Sequence, residues 1–357
     1  MRVRGFAMTA PGRPLEAQEY TLDPGPGQAL VQVVGCGVCH TDLGFLHEGV
    51  PTRHALPLVL GHEVSGRVVA VGPGAPHELV GRSVIVPAVL PCGACEPCRR
   101  GRGQICRKQV FPGNDVQGGF ATHLAVPTRG LCPVELPPGE ELARLSVVAD
   151  AVSTAYQAIL RSGLGRGDCA AFVGVGGVGG FGVQVAAALG ARVLAIDVDA
   201  TRLDALRAHG AELCVDARGK DARALKDEVR RLAKEAGLPP AEWRIFECSG
   251  TRAGQESAWA LLNHGAWLGV VGYHPGDVTV RLSNLMAFDA RCEGNWGCLP
   301  ERYPEVLDLV LSGRVRLEPF VETFPLEQVN DVLERLRRHE LRRRPVLLPD
   351  PTFAGWR

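Results

Sequence analysis

Hydrophobic positions in the first 150 residues come in short β-branched runs broken by glycine and proline. Residues 29–34, 66–71 and 83–86 carry such runs, and each reads as a strand. Short strands with frequent turn residues predict an all-β, barrel-like unit. From about residue 170 the pattern changes. Apolar runs at 170–173, 192–196, 244–248 and 267–271 alternate with helical-period stretches at 178–189, 221–236 and 255–262. That rhythm predicts a doubly wound parallel sheet with helices on its faces. Beyond residue 300, 303–311 and 326–336 read as helices and 345–349 as a last strand that returns to the first domain. The expectation is an α/β protein divided at 1–151, 152–295 and 296–357.

Composition narrows the function classes. At 357 residues the chain is long for one core and fits two domains. Lys plus Arg and Asp plus Glu are 39 each, so no net charge draws the chain to nucleic acid or an anionic membrane. No uninterrupted apolar run reaches the length of a membrane span. Residues 1–7 lack the apolar stretch of a secretory signal, and a cytoplasmic location is expected. The twelve cysteines support a reducing compartment. Four lie between Cys92 and Cys106, and Cys39 has a histidine beside it. The other seven, Cys36, Cys132, Cys169, Cys214, Cys248, Cys292 and Cys298, are scattered and read as small buried hydrophobes.

Cys92, Cys95, Cys98 and Cys106 follow the pattern C-x2-C-x2-C-x7-C inside a lobe of about residues 90–108. Four sulfurs on one short loop suit tetrahedral zinc with no open position, a structural site. Gly93, Pro97, Gly101 and Gly103 supply the turns. Arg99, Arg100, Arg102, Arg107 and Lys108 decorate the lobe as surface charge. A second set is sparser. Cys39-His40-Thr41-Asp42 and Gly61-His62-Glu63 each follow predicted strand ends, with Cys39 and His62 23 residues apart. One thiolate and one imidazole make half of a catalytic zinc site, which needs a third protein ligand and an open fourth position.

A dinucleotide fingerprint follows. Gly174, Gly176 and Gly179 form G-x-G-x-x-G, with Gly177 and Val178 between them, after a predicted strand and at the start of a helix. Asp197 stands 18 residues past the last glycine, at the end of the next strand. In that context glycines permit the turn and the close approach of backbone to pyrophosphate, and the helix N-terminus favours its charge. Asp197 would accept from ribose hydroxyls and repel a 2′-phosphate, favouring NAD over NADP.

The order and spacing of Gly37-Val38-Cys39-His40-Thr41-Asp42, Gly61-His62-Glu63, the four-cysteine lobe and the glycine motif resemble the zinc-dependent alcohol dehydrogenases of the medium-chain dehydrogenase/reductase superfamily, over essentially the whole chain. The resemblance implies a GroES-like catalytic domain joined to a Rossmann cofactor domain. By it, Cys39 and His62 are catalytic zinc ligands and Asp42 orients His62. Glu63 is an outer or exchangeable ligand, and Thr41 passes the proton of the substrate oxygen. His40 and Arg344 would contact the cofactor pyrophosphate, and Arg202 and Val271 the rest of the cofactor. Arg202 would also tolerate a 2′-phosphate, so NADP stays open. The family often carries a cysteine just before a segment like 152–156, where this chain has Asp150. Asp150 is the expected third ligand, against the alternative of a helix cap. No histidine stands at the usual relay positions, which hold Leu43, Gly44 and Phe45; His47 lies slightly beyond. The remaining C-terminal arginines, Arg335, Arg337, Arg338, Arg342 and Arg343, read as a solvated face.

Residues 56–63, 87–92, 145–152, 245–250, 285–290 and 310–314 resemble one branch, the 6-hydroxycyclohex-1-ene-1-carbonyl-CoA dehydrogenases. That implies an acyl-CoA substrate. The two ligand clusters predict two zinc ions per chain, one closed and one open, and the family resemblance implies a homodimer or homotetramer. An alternative on the same scaffold reduces the C=C bond of a short branched enoyl-CoA, such as 3,3-dimethylacrylyl-CoA to isovaleryl-CoA. A third reading, a non-catalytic cofactor-binding protein, has no need to keep Cys39, Thr41 and His62 together.

Overall fold

The computed structural model describes residues 1–350. The chain divides into two units. Met1–Ser153, Gly297–Leu307 and the segment from Leu317 onward form the first, and Thr154–Trp296 with Asp308–Arg316 the second. The region 296–357 is therefore split more finely than a single return: Arg316 belongs to the second unit, where Gln184 accepts from its N–H and donates to its carbonyl. Residues 351–357 of that region lie outside the described residues.

The first unit is built on antiparallel strands. Gln28–Gly37 pairs with Glu63–Val71 on one side and with Arg344–Leu348 on the other. Val321–Pro325 lies parallel to Arg344–Leu348, and Ser83–Val86 and Cys132–Val134 extend the opposite edge. His123–Pro127 also pairs with Gln28–Gly37. A smaller sheet has the order Glu16–Thr21, Arg2–Met8, Leu58–Val59. Val31, Val33, Val64, Val68, Val84, Leu124 and Leu347 are among the side chains that fill one core. This arrangement delivers Gly37 and Glu63 to adjacent register positions, so the chain that follows one strand and the chain that precedes the other emerge side by side.

One member of this sheet carries a pH prediction. His123 is 1% exposed, and burial holds its pKa down at about 4. An unfolded histidine titrates near 6.5. Between about pH 6.5 and 4 the unfolded chain binds a proton that the folded chain refuses, so stability falls as pH drops through that window. The loss is about 2 kcal/mol by pH 5 and about 3 kcal/mol over the whole window. The melting temperature of the wild-type protein is expected to fall more between pH 7 and pH 5 than that of His123→Gln. Parallel curves would remove His123 as a cause.

The second unit is a six-stranded, wholly parallel sheet. Its order is Leu213–Asp216, Arg192–Asp197, Cys169–Val173, Arg244–Glu247, Trp267–Val270, Arg291–Gly294. Every residue of Cys169–Val173 is buried, as a strand covered on both faces requires. The helix Ala222–Glu235 begins where Asp221 accepts from Ala224 N–H at 2.8 Å. Its Leu225, Val229 and Ala233 recur every four residues and turn inward. The strand order reverses between Cys169–Val173 and Arg244–Glu247, the place where open α/β sheets hold ligands at their carboxyl ends.

Candidate metal centres and dinucleotide site

The four lobe cysteines converge. Sγ of Cys92 is 4.0 Å from that of Cys98, and Sγ of Cys95 is 3.4 Å from Cys98 and 3.6 Å from Cys106. A tetrahedron of sulfurs each about 2.3 Å from zinc has edges of about 3.8 Å. Gly93 and Gly101, both at φ near +70°, turn the loop back on itself. The backbone N–H groups of Ala94 and Cys95 pull the Cys92 thiol down to about 6. Desolvation and the neighbouring sulfurs push Cys98 up to about 12. Four sulfurs so close to one another fit a cation among them, which would hold them as thiolates.

The second group is Cys39, His62, Glu63 and Asp150, whose donor atoms lie within 4.8 Å of one another. Cys39 sits at the N-cap of the helix His40–His47. Asp42, in its first turn, joins the two sequence fragments. Its Oδ2 accepts from Cys39 N–H at 2.9 Å, and its Oδ1 accepts from Gly61 N–H at 3.2 Å. The same Oδ1 lies 3.4 Å from Nδ1 of His62, the contact that fixes a ligating imidazole. Nε2 of His62 is 3.5 Å from Asp150 Oδ2, and Cys39 Sγ is 3.9 Å from that oxygen. Edges of about 3.3–3.6 Å are expected around zinc held by these donors. His62 is fully buried, and neither ring nitrogen has a hydrogen-bond partner of ordinary geometry. Burial alone would lower its pKa, yet Asp42 and Asp150 raise it well above the usual histidine range. The donor set therefore fits a divalent cation.

Glu63 and Arg344 are joined in the structure. Both Glu63 oxygens are taken by Arg344, with Nε donating to Oε2 at 3.1 Å and Nη2 donating to Oε1. Oε1 also accepts from Ala151 N–H at 3.2 Å. Glu63 is thus committed as a holder of the 150–151 backbone, which favours an outer place over direct ligation. Arg344 is 7% exposed and given to that carboxylate, a partner 281 residues away that the sequence did not suggest. Thr41 Oγ1 stands 3.6 Å from Cys39 Sγ, beside the donors. His47 is exposed at the far end of the helix, about 9 Å along its axis from Thr41. His40 is exposed at the first helical position and stacks on His339 at 6.2 Å.

In the second unit the three glycines differ in a telling way. Gly174 has φ +84°, and a Cβ there would lie 2.5 Å from Ser249 N. A Cβ on Gly179 would lie 1.9 Å from Gly174 O. A Cβ on Gly176 would meet nothing nearer than Arg202 Nη1 at 3.7 Å. The fold itself needs the first and third glycines, and the second leaves open space over the start of the helix Gly177–Ala188, as an approaching pyrophosphate demands. Asp197 ends the strand Arg192–Asp197, with Oδ2 accepting from Val175 N–H at 2.7 Å and Oδ1 from Asp199 N–H at 2.9 Å. It ties the glycine loop to the neighbouring strand end. Arg202 Nε lies 3.9 Å from Asp199 Oδ2. Val271 follows Trp267–Val270 and donates its N–H to Glu247 O at 2.9 Å, at the carboxyl end of the sheet.

Comparison with known proteins agrees with this geometry. Residues 25–137 match the alcohol dehydrogenase GroES-like domain, and 177–312 match the zinc-binding dehydrogenase family. An alcohol dehydrogenase of Geobacillus stearothermophilus is 30% identical over 326 residues, 91% of this chain and 93% of the relative. An L-threonine 3-dehydrogenase of Pyrococcus horikoshii is 30% identical over 88% of each chain. The crystal structure of a cobalt- and zinc-bound thermostable alcohol dehydrogenase from Pyrobaculum aerophilum superposes with a TM-score of 0.83 at 27% identity, covering 98% of this chain and 100% of the other. The chain belongs to the zinc-dependent medium-chain alcohol dehydrogenase family, nicotinamide-dependent oxidoreductases with a GroES-like domain and a Rossmann domain. No helix among the described residues is long and apolar enough to cross a membrane.

Proposed function

We propose that this chain oxidises a ring alcohol carried on a CoA thioester, of the 6-hydroxycyclohex-1-ene-1-carbonyl-CoA kind, with NAD as hydride acceptor. The observation that carries the chemistry is the convergence of Cys39, His62 and Asp150, with the buried Nε2 of His62 lacking a hydrogen-bond partner. The acyl-CoA class rests on the resemblance of residues 56–63, 87–92, 145–152, 245–250, 285–290 and 310–314 to that branch.

Bound zinc supplies Lewis acidity to the substrate oxygen, and bound nicotinamide accepts the hydride. Cys39, His62 and Asp150 would hold the metal, and Asp42, with Oδ1 3.4 Å from Nδ1, would favour the His62 tautomer that leaves Nε2 to ligate. Thr41 Oγ1 takes the hydroxyl proton and releases it outward, with water in the place of a relay histidine, because His47 stands too far along its helix. Cys92, Cys95, Cys98 and Cys106 would hold a second zinc that only stabilises the lobe.

Asp197 sets the cofactor preference. Its carboxylate would place like charge beside a 2′-phosphate. We expect kcat/KM to favour NAD over NADP by ten- to a hundredfold, about 1.4–2.8 kcal/mol. Asp197→Asn, which keeps an acceptor for the glycine loop and loses the charge, is expected to narrow that gap at least several-fold. A wild-type preference for NADPH would sink this role for Asp197.

The substrate test is turnover on a panel holding a cyclic hydroxyacyl-CoA, a branched enoyl-CoA with NADH or NADPH, ethanol, a secondary alcohol and L-threonine. The expected result is NADH formation with the hydroxyacyl-CoA at a kcat/KM about a hundredfold above any free alcohol, or about 2.8 kcal/mol. Equal or better use of a free alcohol or threonine would overturn the acyl-CoA class. Faster enoyl-CoA reduction would overturn the reaction assigned.

A further inference from the structure

Asp150 is an unusual place for a precise ligand. It lies between the 3-10 segment Arg144–Ala149 and the helix Ala151–Ser162, at φ −141° and ψ −64°, so neither helical run fixes its backbone. A carboxylate there needs support from elsewhere. The peptide groups on both sides of it are pinned by buried partners. Ala151 N–H donates to Glu63, as described. On the other side, Ala149 O accepts from Ala88 N–H at 3.2 Å and from the hydroxyl of Tyr303 at 2.5 Å. Ser153 Oγ lies 3.3 Å from Asp150 O and 3.2 Å from Tyr303 Oη, and its single proton is shared between them.

Tyr303 is the distant member of this set. It begins the helix Tyr303–Leu311, 154 residues beyond Ala149, and it is 0% exposed. Its hydroxyl donates to one neighbour of Asp150 and accepts from the serine that also addresses the Asp150 carbonyl. An apolar ring of the same size would fill the same space. A buried hydroxyl with both roles used does more than fill space, since its removal takes one of two contacts from Ala149 O and one of two from Ser153 Oγ.

We infer that Tyr303 is a positioning residue for the catalytic metal site: with Ser153 it clamps the 149–153 backbone and so fixes where the Asp150 carboxylate stands relative to Cys39 and His62. This rests on Asp150 being a metal ligand. Tyr303 touches no reacting atom in this scheme. It acts through Asp150, as outer partners of metal ligands do, where a substitution commonly costs about 10–100-fold in metal affinity.

The experiment uses the intact protein as wild type, Tyr303→Phe, Ser153→Ala and Asp150→Ala. Zinc content is followed under competition with a chelator, and the visible absorption of the cobalt-substituted protein is recorded. Phenylalanine keeps the ring packing, so the fold is retained and only the hydroxyl is lost. Tyr303→Phe is expected to weaken one zinc per chain about tenfold, leave the four-cysteine zinc in place and shift the cobalt absorption. Ser153→Ala is expected to move both readings in the same direction. If Asp150→Ala changes affinity and spectrum while Tyr303→Phe matches wild type in both, the positioning role is overturned and the ligand stands. A lower melting temperature in Tyr303→Phe with unchanged affinity and spectrum likewise overturns it. If Asp150→Ala itself leaves both readings at wild type, the ligand assignment falls and the inference falls with it.

Discussion

Asp150→Ala is expected to lower kcat/KM by about a thousandfold, about 4 kcal/mol, and to remove one zinc per chain. The effect is large because the site has no spare donor. Glu63, the only other carboxylate in the group, has both oxygens engaged by Arg344 and one also by Ala151 N–H. Asp150→Cys is the matching rescue. A thiolate is an accepted zinc donor at about 2.3 Å and makes the metal a softer, weaker Lewis acid than a carboxylate leaves it. That variant is expected to hold two zinc ions and to recover a measurable part of the activity. Full activity in Asp150→Ala would mean that the carboxylate is a helix-start residue and nothing more.

Cys95→Ala is expected to act on stability. Each lobe sulfur would be one corner of a closed tetrahedron around zinc, and structural zinc contributes roughly 10–16 kcal/mol of apparent binding energy in isolated finger peptides. Losing a corner should release the ion and lower the melting temperature by at least about 10 °C, since losing even about 3–5 kcal/mol of that energy has this effect at about 2–4 °C per kcal/mol. Cys39→Ala should do the reverse, abolishing turnover with a melting change of only a few degrees. Differential scanning calorimetry with metal analysis separates the two, and equal melting losses would erase the division of labour between the sites.

The parts of this protein that were legible in its sequence are those whose information is local. The four cysteines lie within fifteen positions, and their spacing states a metal loop by itself. The glycine motif was readable because a strand and a helix flank it. The alternation of apolar strands and helices in the second unit follows from the burial of both sheet faces. Cys39 and His62 were two weak fragments, and Asp42 is what joins them in space. Asp150 came from resemblance alone, because nothing in its immediate neighbours marks it as a ligand.

What escaped was carried by polar contacts between distant positions. Glu63 and Arg344 are 281 residues apart, and neither has a pattern that names the other. The clamp from Tyr303 to Ala149 is of the same kind, since a tyrosine at the start of a helix reads as core. Strand limits were missed where composition gives no β signal. Gln28–Gly37 runs three residues past the apolar stretch that predicts it, because Gly35 and Gly37 are held by pairing with Ser65 and Glu63. Arg291–Gly294 is mostly exposed and polar, and only its pairing with Trp267–Val270 makes it a strand. The helix predicted over 326–336 is a 3-10 turn, Leu326–Gln328, followed by Val329–Arg337.

The most direct test of zinc-dependent hydride transfer is a metal titration coupled to nicotinamide absorbance. Protein purified with zinc should carry two ions per chain. Gentle chelation should take the ion at Cys39, His62 and Asp150 first, because that site is open and has one oxygen donor in place of sulfur. At one zinc per chain, substrate-dependent reduction of NAD should be gone while the melting temperature stays within a few degrees. Adding zinc back to two per chain should restore the rate. Undiminished NAD reduction at one zinc per chain, with the remaining ion on the four cysteines, would contradict the assignment of the reaction to the Cys39–His62–Asp150 site.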